Sequence, residues 1–151
     1  MTTRIDSSRA AEPVGPYPHA RRVGNLLFLS GVGPRTRGSK VVPGAKVNAD
    51  GALIDYDIEA EMRSCFANVK AVLEDCGASW ESIVDITVFL INMKRDWQTY
   101  NRVYAEYFPA GSNQPTRTTC EIAGLPQGGN TPIHFEVKVV AVVGSDDAMM
   151  R

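Results

Sequence analysis

The alternation of apolar and polar positions divides the chain into a small set of elements. Leu26-Leu27-Phe28-Leu29-Ser30 is a short apolar run ended by Gly31 and then Gly33-Pro34, which predicts a strand. From Asp57 the period changes. Ile58, Met62, Cys65, Phe66, Val69, Val72, Leu73 and Cys76 recur at helical spacing and trace one apolar stripe. Asp55, Asp57, Glu59 and Glu61 put negative charge at the start of that helix, where the backbone dipole favours it, and Gly77 supplies a C-terminal cap. Val84, Ile86, Val88 and Leu90 then alternate with Asp85, Thr87, Phe89 and Ile91, predicting a strand with the first set buried. Asp96 is suited to cap a second helix, whose apolar side carries Trp97, Tyr100, Tyr104 and Phe108 and which Pro109 ends. Residues 117–122 read as a strand and 123–130 as a Gly-rich loop. In the last strand Ile133, Phe135, Val137, Val139, Ala141 and Val143 share one face, with His134, Glu136 and Lys138 on the other.

The resulting order, β, α, β, α, β, β with a further strand at residues 20–23, predicts an α+β fold with two helices on one face of a mixed sheet. The second face is assigned Thr87, Thr119 and Glu136, too polar for an internal core and suited to packing against another subunit. With no repeat or linker, residues 1–151 read as a single domain. Its one long loop, residues 34–53, is rich in Gly, Pro, Lys and Arg, and loops of that length are commonly functional or mobile.

Composition narrows the functional classes. A chain of 151 residues with 44% hydrophobic content is long enough to bury a core. The net charge of −1 leaves no basic excess for nucleic acid and no acidic tail. The longest apolar run, Val139-Val140-Ala141-Val142-Val143, is strand-sized, and residues 1–6 lack the apolar segment of a secretory signal. These features predict a cytoplasmic protein without a membrane span. Cys65 and Cys76 share a helix face but stand about 16 Å apart along the axis, too far for a disulfide. They and Cys120 read as small core residues. His19 and His134 are the only histidines, so no His/Cys cluster has metal-ligand spacing and no zinc or haem site is expected.

Two residues stand out chemically. Arg117 opens a strand behind Pro115-Thr116, and its planar fork of donors matches a carboxylate, although a surface arginine fits the same local pattern. Glu136, mid-strand opposite the Phe135/Val137 face, is either an exposed strand glutamate paired with Lys138 or a partly buried carboxyl tuned for proton transfer. His134, on the same face, reads as a hydrogen-bonding neighbour.

A distributed pattern surrounds these two. Gly15-Pro16-Tyr17 precedes Gly24-Asn25-Leu26-Leu27-Phe28-Leu29-Ser30-Gly31. Asn68-Val69-Lys70-Ala71-Val72-Leu73, Thr87-Val88-Phe89-Leu90 and Tyr100-Asn101-Arg102-Val103-Tyr104 follow. Pro115-Thr116-Arg117-Thr118-Thr119, Leu125-Pro126 and Phe135-Glu136-Val137 complete it. In this order, from residue 12 to 143, the chain resembles the RidA/YjgF family of enamine/imine deaminases.

The resemblance implies a chorismate-mutase-like fold and a barrel-like homotrimer, with pairing into hexamers left open and clefts between subunits. It implies that Arg117 holds the substrate carboxylate, that Glu136 handles a proton or orients water, and that Tyr17, Ser30, Gly31 and Asn101 line the cleft. No cofactor is implied. Where many relatives carry cysteine two residues after the arginine, this chain has Thr119. Tyr17-Pro18-His19-Ala20-Arg21-Arg22, the cations Arg35, Arg37, Lys40 and Lys46 of the long loop, and Val103-Tyr104-Ala105-Glu106-Tyr107-Phe108 most resemble 2-aminomuconate deaminases of aromatic-compound catabolism. That adds His19 and Arg22 as candidate substrate contacts. A general 2-iminopropanoate/2-aminoacrylate deaminase and a non-enzymatic, carboxylate-binding regulatory trimer are the alternatives.

Overall fold

The computed structural model describes residues 2–39, 41–127 and 131–144. Its elements are β1 (Thr2–Ile5), β2 (Ala20–Val23), β3 (Leu26–Leu29), β4 (Lys46–Val47), β5 (Leu53–Asp55), α1 (Ile58–Asp75), β6 (Ile83–Leu90), α2 (Met93–Tyr107), β7 (Thr116–Glu121) and β8 (Phe135–Val142). Six strands form one sheet in the order β1-β2-β3-β8-β6-β7. Only β6 and β7 run parallel. A parallel pair cannot be closed by a tight hairpin, and the chain crosses between them through α2. Both helices lie on one face of this mixed sheet, as the residue pattern predicts.

The apolar stripe on α1 is buried along its length, from Ile58 to Leu73. Asp57 caps the helix, accepting from the Glu59 and Ala60 amides at 3.0 and 3.2 Å, and Gly77 ends it with a positive φ of 77°. Phe66 meets Phe135 of β8 edge-on with ring centroids 5.7 Å apart, and Tyr107 at 4.7 Å. One polar tie runs through the same layer. The buried Glu61 carboxylate accepts from the His134 backbone amide at 2.7 Å and pairs with His134 Nδ1 at 2.8 Å, fixing the start of β8 against α1.

Four expectations are corrected. Asn92, not Asp96, caps α2, its side chain accepting from the Arg95 amide at 3.0 Å. Asp96 lies a turn inside the helix, buried, and accepts from the Tyr56 hydroxyl at 2.7 Å. In β6 the register shifts between Ile83 and Asp85, which turns Ile83 into the core and leaves Val84 exposed. Thr119 is not on the open face. It pairs with Val88 and meets the Tyr100 hydroxyl at 2.6 Å, on the helix side. Of the cysteines, Cys65 is buried but Cys76 and Cys120 are partly exposed, and all three are free.

Two pieces of sheet lie outside the sequence-based set. β1 adds to the edge beside β2, and β4 and β5 make a small hairpin within the long loop. Lys40 of that loop and residues 128–130 lie outside the described residues.

Candidate active site

Past Leu29 the chain leaves β3 as Ser30-Gly31-Val32, and Val32 bridges to Val137 of β8. A cavity opens there between the N-terminal segment, α1 and β8. Its walls include Tyr17, His19, Ser30, Gly31, Arg35 and Glu136. Glu136 enters because alternation along β8 turns it away from the Phe135/Val137 core face. Gly31 packs against it, and a β-carbon at that position would sit 2.8 Å from Glu136 Oε2, so the carboxyl end of that side chain would have to shift. Burial pushes the Glu136 carboxyl above the ordinary carboxylate range, and the nearby positive charge of Arg35 partly offsets this. Lys138, on the same face, donates to the Leu29 carbonyl, and burial lowers its pKa.

The other wall residues are held by backbone contacts. Ser30 Oγ donates to the Pro18 carbonyl at 2.7 Å, and Tyr17 Oη accepts from the Val14 amide at 3.3 Å. His19 accepts from the Ser7 amide at Nδ1 (3.0 Å) and reaches the Ala11 carbonyl through Nε2 (2.8 Å). With both ring nitrogens so engaged, His19 pins the strand-free segment that roofs the cavity and offers no free nitrogen to a ligand. Arg22 is not at the cavity. Its Nε donates to the Gly24 carbonyl at 2.8 Å on the turn between β2 and β3.

Arg117 belongs to a second locus. It opens the edge strand β7 on the helix side, in register with Ile86. Its guanidinium carbon lies 5.2 Å from the Tyr100 ring centroid and 4.7 Å from that of Tyr104, and Nη1 donates to Asn101 Oδ1 at 3.0 Å. Asn101 Nδ2 in turn donates to the Trp97 carbonyl at 3.1 Å. The aromatic shelf and the amide fix the plane of the fork, and its remaining donors face outward. Glu136 pairs with Phe89, three positions along β6 from Ile86 and on the opposite face. Two strand spacings and three residues amount to about 14 Å between the backbones. Within one protomer, then, Arg117 and Glu136 lie on opposite faces of the sheet and cannot contact the same small ligand.

Asn68 has a structural role that its place in the Asn68–Leu73 motif does not reveal. On α1 it donates to the Gly33 and Arg35 carbonyls at 3.0 and 2.6 Å and accepts from the Ala11 amide at 3.2 Å, binding two cavity walls together. A polar amide next to an apolar helical stripe was the available signal. Among the described residues, no group of three or more His, Cys, Asp or Glu side chains could hold a metal ion, and no helix is long and apolar enough to cross a membrane.

A family profile described as endoribonuclease L-PSP matches residues 7–143, nearly the whole chain. The chain belongs to the RidA/YjgF family. Among its RidA/YjgF relatives, a RutC family protein of Pyrococcus horikoshii is 34% identical over 144 residues, covering 93% of this chain and 98% of its own. A 2-iminobutanoate/2-iminopropanoate deaminase of Dermatophagoides farinae is 33% identical, with 89% of this chain and 94% of its own covered. The crystal structure of E. coli TdcF with bound serine superimposes with a TM-score of 0.77 at 27% identity, covering 94% of this chain and 99% of that one. The RidA/YjgF fold and the deaminase names among its members agree with the resemblance carried by the motifs.

Proposed function

We propose that the protein hydrolyses small 2-imino acids and their enamine tautomers to 2-oxo acids and ammonia, in clefts that two copies of the chain build together. The carrying observation is Glu136, a half-buried carboxyl with a raised pKa, lodged against the Gly31 backbone in a cavity. A carboxylate so placed takes a proton from an attacking water as the water oxygen bonds to the imine carbon and the C=N electron pair moves to nitrogen. It returns that proton to nitrogen to give a carbinolamine. It then takes the carbinolamine's hydroxyl proton as the C=O bond forms and passes it to nitrogen as the C–N bond breaks, so that one imine and one water become one ketone and one ammonia. Arg117 would hold the carboxylate beside the reacting carbon, positioning it and drawing charge from it. Because Arg117 and Glu136 lie on opposite faces of one protomer, the reading requires Arg117 to come from a neighbouring subunit, as in a homotrimer.

Two relatives support the chemistry by their names and contents. One is called a 2-iminobutanoate/2-iminopropanoate deaminase, and another crystallised with serine, a small amino acid. The net charge of −1 weighs against RNA as the substrate. The finer reading, supported by the motif resemblance, is deamination of 2-aminomuconate to 2-oxohex-3-enedioate in a cytoplasmic catabolic route.

The test is to generate 2-iminopropanoate in situ with an amino-acid oxidase and measure its loss and the ammonia formed. The protein should accelerate both. Tight binding of small carboxylic acids with no acceleration of any imine would instead establish a carboxylate-binding module. A higher kcat/KM for 2-iminopropanoate than for enzymatically generated 2-aminomuconate would dismiss the finer reading. The pH profile provides a second check. The base form of Glu136 is the active one, so kcat/KM should rise with pH along a limb lying above the ordinary carboxylate range. Arg35→Gln, by removing the cation that lowers this pKa, should move that limb to still higher pH.

A further inference from the structure

Arg35 lines the cavity beside Glu136. Its Nη2 donates to the Pro126 carbonyl at 2.9 Å, but Nε is buried and has no hydrogen-bond partner among the described residues. A buried donor without an acceptor is costly, but Nε is too enclosed for a ligand to reach, so it is the cavity-lining side of the guanidinium that a ligand oxygen would meet. No carboxylate lies within ion-pairing distance of this guanidinium among the described residues. Glu136 and Tyr17 act on it only through space.

The side chain is also well mounted. Asn68 donates to the Arg35 and Gly33 carbonyls, and Ser64 Oγ donates to the Pro34 carbonyl at 2.6 Å, so α1 fixes the backbone that presents it. Arg37, Arg22 and Lys46 are committed elsewhere or distant. Arg37 holds the Ala10 and Ser7 carbonyls at 2.9 and 2.8 Å and Glu12 at 3.2 Å. Arg22 holds the Gly24 carbonyl, and Lys46 lies on the β4–β5 hairpin beside a different surface groove.

We infer that Arg35 is a subsite for a second carboxylate, so that the preferred substrates are dicarboxylic 2-imino acids. This rests on the proposed deaminase reading, in which Arg117 takes the carboxylate next to the reacting carbon. The distal acid then meets the Arg35 fork, whose charge and paired donors suit a carboxylate and not its amide.

The experiment compares 2-iminopropanoate with 2-iminosuccinate and 2-iminoglutarate, each generated in situ by the matching amino-acid oxidase, in the wild-type protein, Arg35→Gln and Arg35→Lys. The wild type should favour at least one dicarboxylic imine in kcat/KM. Arg35→Gln should lower the dicarboxylic-to-monocarboxylic ratio by about 10- to 150-fold, mainly through KM, and Arg35→Lys should restore part of it. An equal loss on all imines, or no wild-type preference, would overturn the subsite while leaving the deaminase reading intact. If no imine is turned over at all, the deaminase reading fails. The subsite is then read by calorimetry with glutarate against butanoate, where an Arg35-dependent preference for glutarate sustains it and equal binding removes it.

Discussion

Replacing Glu136 with glutamine should lower kcat for imine hydrolysis by about 10²- to 10⁴-fold, with a smaller change in KM. The amide keeps the shape of the side chain, so the packing against Gly31 survives. It removes the one cavity group argued to carry a proton between water and the leaving nitrogen. The same substitution should not cost stability. Burial raises the Glu136 pKa in the folded protein, so folding disfavours the charged form. The native contribution of this group therefore falls as pH rises from the unfolded pKa through the folded one, and above that window the whole penalty is present. Glutamine has no charge to desolvate. At neutral pH its thermal midpoint should equal or exceed that of the wild type, a pattern found where function is bought with stability. Unchanged ammonia release in the variant would remove Glu136 from the mechanism.

Arg117→Ala should also lower activity by itself, though by less, and should be rescued by Glu136→Gln in a mixture. Alanine strips the fork from its shelf on Tyr100 and Tyr104 and leaves Asn101 without its partner. Loss of charged hydrogen bonds to the substrate carboxylate corresponds to about 10- to 150-fold in kcat/KM. If each cleft takes its arginine from one subunit and its glutamate from the next, co-refolded mixtures contain clefts intact on both sides. For equal amounts in a closed ring, about a quarter of the clefts qualify. Activity should therefore climb well above that of either variant alone. Mixed assemblies that recover nothing would show that the arginine and the glutamate do not share a cleft.

The parts of the fold visible in the sequence were those where burial imposes a period. The α1 stripe and the alternation through β8 follow directly from one face meeting a core. β1 has no such signature, because Thr2, Thr3 and Arg4 lie exposed on an edge strand of which only Ile5 packs against the core. Val84 broke the pattern because an irregular register, not residue type, decides which of Ile83 and Val84 points inward. Asn92 and Asp96 are both competent caps, and the choice between them depends on a tyrosine forty positions earlier that captures Asp96. The site divides in the same way. Strand face and strand entry made Glu136 and Arg117 candidates no better than an exposed glutamate and a surface arginine, and only the ordered motifs favoured a site. That His19 commits its ring to the backbone, and that Arg35 rather than Arg22 reaches the cavity, depends on contacts between distant segments that no local window contains.

The clamp made by Asn68 and Ser64 on residues 33–35 has an evolutionary side. It separates the frame of the cavity from the remainder of the long loop, so insertions and drift beyond Arg37 leave the wall where it is. Position 35 then works as a single adjustable letter on a fixed mount, through which descendants of one scaffold can acquire or abandon a taste for acidic substrates without rebuilding the reaction centre.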